Sequence, residues 1–192
     1  MKPTILTFLL CIFGLNNMTN CTAQNDPFGP TASTNQQTAT VSPSQLPSFE
    51  DYRKNPGDVT VKPVFVKRLV GELKATNKKQ IIIIDARSAQ EYEISHIQNS
   101  RRVGYEDFST ERIWMLSRES RMIVYSASKN RSTVVAQYLK LMGFSHAEVL
   151  EEGLIGWKNE KNDIYDADGI TNKIHVGSKN NAKLVKNGQP IH

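Results

Sequence analysis

Near the middle of the chain, a short polar loop joins an apolar run to an amphipathic helix. The run Met122–Tyr125 has the length and composition of a buried strand. From Ser132 to Met142 the apolar side chains recur every three or four residues, which is the period of an amphipathic helix, and Gly143 follows where a helix stop is expected. A strand that leads into a helix in this way predicts an open α/β sheet, whose ligands bind where the strands end.

Other strands and helices alternate on both sides of this stretch. The run Ile81–Ile84 consists of β-branched residues, which is typical of a strand covered on both faces, and Ser88 with Glu91 forms a capping box at the start of a short helix. Further strands are predicted within residues 59–66, 101–103 and 148–150, and further helices within residues 67–75 and 109–116. This alternation predicts an α/β fold with a small, mainly parallel five-stranded sheet flanked by helices on both faces.

Composition divides the chain into four segments. Residues 1–23 have a basic start, an apolar run and a polar end, which is the layout of a secretory signal peptide, and the run is shorter than the roughly 20 apolar residues of a membrane span. Residues 24–57 are rich in Thr, Ser, Gln, Asn and Pro and predict a flexible polar linker. Residues 58–162 are the predicted folded domain, and residues 163–192 are a predicted polar, loosely ordered C-terminal tail.

The two cysteines, Cys11 and Cys21, both belong to the predicted signal peptide. The folded part therefore has no disulfide framework, no thiolate zinc site and no cysteine nucleophile. We expect export to the periplasm or cell envelope in one of two forms. Cleavage after Ala23 would release a soluble protein, whereas lipidation of Cys21 would anchor it, although residues 18–20 match a lipidation motif poorly.

Charge and ligand patterns exclude several functional classes. The net charge is +5 and no basic block of the kind that binds nucleic acid is present, so a nucleic-acid partner is not expected. Membrane contact is expected only through a lipid on Cys21. Residues 166–169 resemble part of a calcium loop, but Ile164 and His175 occupy the positions of its first and last ligands. We therefore expect no metal and no cofactor.

The loop that follows the central strand is a candidate anion-binding site. Free backbone N–H groups and the positive end of the helix dipole favour an anion there, and Arg131 adds a permanent charge with a planar donor fork. A small oxyanion, either a sulfur oxyanion or phosphate, is the expected ligand. The loop consists of Ser126, Ala127, Ser128, Lys129, Asn130 and Arg131.

Four motifs between about residues 60 and 160 resemble, in order and spacing, the pattern of the rhodanese family. They are the strand ending in Asp85-Ala-Arg87, the pair Glu91-Tyr92, the turn Ser95-His96-Ile97, and the closing segment from Leu150 to Trp157. The resemblance implies a rhodanese-like α/β fold and homology with thiosulfate sulfurtransferases. It also implies supporting positions near the active loop for Asp85, Arg87 and His96.

The resemblance places Ser126, five residues before Arg131, at the position of the family's catalytic cysteine. Sulfur transfer needs a thiolate that holds a persulfide, and an alcohol is a much weaker acid that cannot do so. The longer loop of tyrosine phosphatases would place Tyr125 at the nucleophile instead, which is not a cysteine either. A second departure is Glu152, which replaces a family glycine, so that either Glu152 adopts a positive φ or the turn differs.

Three functions remain open at this point. The first is an exported rhodanese-like protein that lacks sulfurtransferase activity and binds an anion or an envelope protein through residues 126–131. The second is a transferase or hydrolase of the rhodanese or phosphatase type that uses Ser126 and Arg131, and the third is a purely structural envelope domain. A base within hydrogen-bond reach of Ser126 would favour the second. Arg131 turned inward towards an occupied anion site would favour the first over the third.

Overall fold

The structure is a computed structural model that describes residues 46–75 and 80–192. Two predicted segments lie outside the described residues, namely the signal peptide, with its cleavage site and Cys21, and residues 24–45 of the linker. Within residues 46–75 and 80–192, none of the helices is both long enough and apolar enough to span a membrane.

The helices and strands alternate along the chain, as the sequence predicts. In chain order they are α1 (Phe49–Lys54), β1 (Lys62–Val64), α2 (Val66–Lys74), β2 (Ile81–Asp85), α3 (Ala89–Ile94), β3 (Arg101–Arg102), β4 (Arg121–Tyr125), α4 (Lys129–Leu141), β5 (Ala147–Leu150), α5 (Gly153–Asn159), β6 (Ile164–Asp166), β7 (Gly169–Thr171), β8 (Lys173–His175), α6 (Lys179–Ala182) and β9 (Gln189–Ile191). Strands β1 to β5 form one parallel sheet in the order β1-β5-β4-β2-β3. The predicted five-stranded parallel sheet is therefore confirmed.

The central strands are buried on both faces because successive side chains point to opposite cores. In β2, Ile82 and Ile84 pack into the core beneath α1 and α4, whereas Ile83 packs into the core beneath α2 and α5. Strand β4 runs parallel to β2, with Asp85 of β2 opposite Tyr125 of β4. Polar side chains that follow these two strands therefore meet at one edge of the sheet.

The predicted linker ends earlier than residue 57. Helix α1 lies inside that segment, and its Phe49 and Tyr52 are buried. The ring of Phe49 stacks on Phe108 at 4.2 Å between centroids, and the hydroxyl of Tyr138 donates to the Pro47 carbonyl at 2.7 Å. Two buried aromatic side chains one helical turn apart dock this short helix. The polar composition of the surrounding residues gives no indication of it.

The prediction of a loosely ordered tail from residue 163 is wrong. Strands β6 and β7 form an antiparallel hairpin, and β8 pairs with β9 in parallel. Ile164, Ile174 and Val176 have no exposed area and belong to the core beneath α5. The segment is also fixed by polar groups, since the Asn159 side chain accepts the backbone N–H of Lys186 at 2.7 Å. A few buried aliphatic residues and many side chain–backbone hydrogen bonds order it despite its polar composition.

The prediction of a helix over residues 109–116 is also wrong. The N–H of Ile113 donates to the carbonyl of Thr110 and the N–H of Leu116 donates to the carbonyl of Ile113, so the chain forms two successive four-residue turns instead of an α-helix. Ile113 is fully buried, whereas Trp114 and Met115 are 67% and 80% exposed. The segment therefore carries two large apolar side chains on the surface.

The turn after β5 resolves the question raised by Glu152. Glu152 has a φ of −87°, and Gly153 takes the positive value of +60°. A Cβ on Gly153 would lie 2.6 Å from the carbonyl oxygen of Ser126, so no side chain fits there. The Glu152 side chain accepts the N–H of Val66 at 3.2 Å, at the start of α2. Glu152 is therefore unstrained, and the strict requirement for glycine falls on Gly153.

Candidate functional site

The loop between β4 and α4 is short and closed upon itself. Ser126 is 1% exposed. Its hydroxyl donates to the carbonyl of Ser128 and accepts the N–H of Ser132 at 3.3 Å, and the Ser132 hydroxyl lies 3.3 Å away. The carbonyl of Ser126 in turn accepts the N–H of Leu154 at 2.8 Å. Ser126 therefore acts as a cap that holds the loop against the starts of α4 and α5.

No base lies beside this hydroxyl in the part of the chain that the structure describes. The hydrogen-bond partners of the Ser126 hydroxyl are the carbonyl of Ser128 and the hydroxyl and N–H of Ser132. His96 lies elsewhere, because its ring stacks on Tyr92 at 4.0 Å between centroids and its backbone pairs with Tyr165. A serine without a base is not an activated nucleophile. The feature that would favour a hydrolase or transferase using Ser126 is therefore not found among the described residues.

Arg131 turns inward, but towards a carboxylate. Its Nη1 donates to Glu91 Oε2 at 2.7 Å and its Nη2 donates to Glu91 Oε1 at 2.6 Å, in a bidentate pair. The Glu91 side chain is 6% exposed and that of Arg131 is 23% exposed. Burial raises the pKa of Glu91, but the hydrogen bonds and charge of Arg131 outweigh burial and hold that pKa at about 2. Glu91 is therefore ionised at neutral pH and neutralises Arg131.

The other cation of the loop is paired as well. Lys129 Nζ lies 2.5 Å from Glu151 Oε1. The predicted capping box is present, because the Glu91 carboxylate accepts the N–H of Ser88 at 3.1 Å and the Ser88 hydroxyl accepts the N–H of Glu91. One carboxylate thus caps α3 and binds the loop arginine. The loop consequently presents little unbalanced positive charge to a ligand.

The C-terminal segment covers the side-chain face of the loop. We call residues 173–177 the cover, which consists of β8 and the two residues after it. A Cβ on Gly177, which has a φ of +73°, would lie 3.7 Å from the Ala127 Cβ and 3.5 Å from both Arg131 Nη2 and Glu91 Oε1. Ala127 is 2% exposed. The cover therefore closes over residues that the sequence predicts to meet a ligand.

His175 of the cover is the residue near the loop that sequence reasoning missed. Its Nδ1 accepts the N–H of Gly177 at 3.2 Å and lies 3.5 Å from Glu91 Oε1. Burial lowers the pKa of His175, against the opposing charge of Glu91. A ring nitrogen that accepts a hydrogen bond carries no proton, so this approach is not an ion pair. A histidine in a polar segment far along the chain gives no local signal of this position.

Asp85 and Arg87 form a buried ion pair below the loop. Both side chains are fully buried, and Arg87 Nη2 donates to Asp85 Oδ2 at 2.6 Å and to the carbonyl of Ser95 at 2.6 Å. Asp85 also accepts the backbone N–H of Arg87 at 2.9 Å, and the guanidinium lies 5.4 Å from the centroid of the Tyr125 ring. The pair joins the ends of β2 and β4 to the turn after α3.

The Glu91–Arg131 pair predicts a pH dependence of stability. Because the pKa of Glu91 is about 2 in the folded protein and near 4.5 when unfolded, the pair stabilises the protein above pH 4.5 and this contribution is lost as the pH falls towards 2. Glu91→Gln is expected to lower the free energy of unfolding by about 3 kcal/mol at pH 7 and to flatten its decrease below pH 5. Urea unfolding at pH 7, 5, 4 and 3 measures both effects.

Glu50→Gln is the control for this measurement, because the Glu50 side chain is 49% exposed in its pair with Arg53. Solvent screens such a pair, so we expect Glu50→Gln to follow the wild-type profile. An acid profile of Glu91→Gln that coincides with that of the wild type would contradict the assignment.

Comparison with known proteins relates these features to a family. Residues 69–160 match the family model described as a rhodanese-like domain. No curated protein matches the chain in sequence. Within the two described ranges, no group of three or more His, Cys, Asp or Glu side chains is arranged to hold a metal ion.

Solved structures share the fold. A protein of Bacillus halodurans is 23% identical with a TM-score of 0.51, and the match covers 62% of this chain and 87% of that chain. The rhodanese-like domain of an Anabaena protein, determined by NMR, is 20% identical with a TM-score of 0.51, and the match covers 62% of this chain and 84% of that one. At these identities the likeness shows the fold alone.

Proposed function

Because this chain carries a rhodanese-like domain at residues 69–160, we propose that it is an exported protein in which this domain binds a partner without transferring sulfur. The observation that carries the proposal is the state of the loop residues Ser126 and Arg131. Ser126 is a buried cap, and Arg131 is held by Glu91.

The chemistry of sulfur transfer supports the loss of activity. A persulfide forms when a thiolate attacks a sulfane sulfur and keeps it as a disulfide-like S–S bond, which the oxygen of Ser126 cannot replace. The described residues contain no cysteine at all. A substrate would also have to reach Ser126, which is only 1% exposed. Two independent features therefore oppose catalysis at this loop.

The charges around the loop favour a protein partner over a small oxyanion. The side chain of the N-cap residue Ser128 makes no capping hydrogen bond, so the first backbone N–H groups of α4 keep the donor capacity that an anion site requires. However, Glu91 and Glu151 already pair with Arg131 and Lys129. An incoming oxyanion would have to displace Glu91 or lie close to it, and like charges at that distance repel. The domain is therefore proposed to act through its surface.

Sulfur loading of single-thiol variants tests this proposal. Protein that begins at Gln24 contains no cysteine, so Ser126→Cys and Ser128→Cys each carry one thiol. The wild type is expected to take up no cyanide-labile sulfur from thiosulfate, as measured by intact mass. Ser128→Cys, at a half-buried position of the same loop, is expected to react with a thiol reagent in the native state, whereas Ser126→Cys reacts only when unfolded.

The outcomes of this test distinguish the missing thiol from the burial of Ser126 as reasons for inactivity. Cyanide-labile sulfur on the wild type would overturn the proposal that the domain does not transfer sulfur. A native Ser126→Cys that reacts as fast as Ser128→Cys would contradict the closed loop, and the missing thiol would then be the whole reason for inactivity.

Export is the second part of the proposal, and it rests on the layout of residues 1–23. When the chain is expressed with its own N-terminus in a bacterium, the mature protein is expected to begin at Gln24 or at a lipidated Cys21. N-terminal mass analysis of cell fractions distinguishes these forms. An uncleaved chain that stays in the cytoplasm would contradict export.

A further inference from the structure

We propose that a surface made of Arg101, Arg112, Trp114 and Met115 binds an acidic segment of a partner protein. We call these four residues the arginine–tryptophan surface. The proposal deepens the proposed function, because it rests on a binding role for the domain and names the surface and the chemistry of the partner.

The apolar part of this surface is exposed but firmly held. Trp114 and Met115 are 67% and 80% exposed, whereas Ile113 before them is fully buried. The turns on either side of Ile113 are closed by backbone hydrogen bonds of 2.9 and 3.0 Å. Exposed tryptophan and methionine side chains on a rigid base are typical of the centres of protein interfaces. Consecutive large apolar side chains exposed to water are a feature of surfaces that contact another molecule.

The two arginines of the surface, unlike most other arginines among the described residues, are held by backbone carbonyls and not by carboxylates. Arg101 Nη1 donates to the carbonyl of Arg112 at 3.0 Å, and Arg112 Nη1 donates to the carbonyl of Arg102 at 3.3 Å. In the part of the chain that the structure describes, neither guanidinium pairs with a carboxylate. Six other arginines do form such pairs, namely Arg53, Arg68, Arg87, Arg102, Arg121 and Arg131. Arg101 and Arg112 are thus oriented by backbone contacts and keep donors for a ligand.

A groove of about 620 Å³ connects these arginines to α3 along the edge strand β3. Its walls include Tyr92 and Ser100 as well as both arginines. One acid, Glu93, also lines it, and Arg102 at its base is already paired with Asp107. The guanidinium groups of Arg101 and Arg112, which pair with no carboxylate among the described residues, therefore outweigh one carboxylate, so the groove is positive overall.

This combination indicates an acidic segment that also carries an apolar side chain. Carboxylates bind guanidinium forks in a bidentate manner, and the two arginines supply two such forks. Trp114 and Met115 follow closely after Arg112 in the chain, at the end of the groove wall that this arginine forms. An apolar side chain of the same acidic segment would cover them, whereas a small oxyanion would leave them in water. An anionic membrane would also satisfy arginine and tryptophan, but a flat bilayer does not fill a groove. The groove therefore favours a protein segment over a lipid surface.

The direct test uses a labelled peptide of repeated Glu-Leu-Glu units, with a Gln-Leu-Gln peptide as its uncharged match. Binding is measured by anisotropy of the peptide label and by tryptophan emission of the full protein. Of the two tryptophans, Trp157 is 7% exposed and Trp114 is 67% exposed, so the change in emission reports on Trp114. We expect saturable binding of the Glu peptide with a shift of emission to shorter wavelength, and no binding of the Gln peptide.

Variants locate the binding on the proposed surface. Arg101→Gln with Arg112→Gln is expected to weaken binding roughly tenfold or more, and Trp114→Ala is expected to weaken it similarly. Lys179→Gln with Lys183→Gln removes the same charge from an exposed region elsewhere and is expected to leave binding unchanged. Circular dichroism of each variant confirms that it is folded. If the arginine variant is unstable, Trp114→Ala still tests the surface, because it removes an exposed side chain.

Three results would overturn the proposal. They are the absence of Glu-peptide binding by the wild type, equal weakening by the lysine control, and binding of phosphatidylglycerol vesicles in place of the peptide. None of these bears on sulfur loading of the loop, so failure of this surface and failure of the proposed loss of sulfur transfer are distinguishable.

Discussion

Replacing Arg87 with leucine is expected to lower the free energy of unfolding by about 3–5 kcal/mol. The substitution leaves Asp85 fully buried without its partner, and it also removes the hydrogen bond to the carbonyl of Ser95. An uncompensated carboxylate in the interior is more costly than the pair, because the attraction that offset its desolvation is gone. Urea unfolding at pH 7 measures the loss.

Arg68→Leu is the matched control for this prediction. Arg68 pairs with Glu72 on the surface, where its side chain is 66% exposed, so its removal is expected to cost less than about 1 kcal/mol. The double variant Asp85→Asn with Arg87→Leu is expected to recover part of the stability, because it removes the buried charge. A loss for Arg87→Leu no larger than that for Arg68→Leu would show that the buried pair does not hold the strand ends together.

Ile174→Ala is expected to destabilise the protein by about 2–5 kcal/mol, whereas Ile170→Ala is expected to change stability by less than about 0.5 kcal/mol. The two isoleucines lie in successive strands of the same polar segment, β7 and β8, but Ile174 is fully buried and Ile170 is 65% exposed. The comparison tests whether the C-terminal segment is part of the folded core. Urea unfolding of both variants measures it.

The same pair of variants tests the cover over the loop. Because Ile174 anchors β8, its truncation is expected to loosen residues 173–177 and to raise hydrogen exchange at Ala127 as well as in the cover itself. Equal and small losses of stability for the two variants would contradict a packed C-terminal segment. A large loss of stability with unchanged hydrogen exchange at Ala127 would show that the cover does not protect the loop.

The sheet could be predicted because its signals are local. Four β-branched residues at Ile81–Ile84 indicate a strand buried on both faces, and the structure places them in an interior strand of the parallel sheet, between β4 and β3. The capping box of Ser88 and Glu91 likewise lies within four residues of sequence and is present. Such features need no knowledge of distant parts of the chain.

The remainder depends on contacts between distant residues. Helix α1 docks through Phe49 onto Phe108, and the C-terminal segment is ordered by side chain–backbone bonds such as that of Asn159 with Lys186. The composition of a short stretch of sequence does not reveal these partners, because they lie far away along the chain. Polar composition therefore predicts disorder at both ends of the described domain, where the structure has helices and strands.

The candidate loop shows the same division between local and distant signals. Its position after β4 and before α4 could be predicted from periodicity. The partner of Arg131 could not, because Glu91 lies 40 residues away and already has a local role in the capping box. That single pairing changes the interpretation of the loop from an open cationic site to a neutralised one. His175, from the segment predicted to be loose, closes the same region.

The central claim, that this rhodanese-like domain does not transfer sulfur, is tested most directly by thiocyanate formation from thiosulfate and cyanide. We would compare protein that begins at Gln24 with its Ser126→Ala variant, at equal concentrations and against a reaction without protein. We expect both proteins to give the rate of the reaction without protein, because no thiolate is present to carry the sulfur. Thiocyanate formed by the wild type at a rate above that of Ser126→Ala would contradict the account.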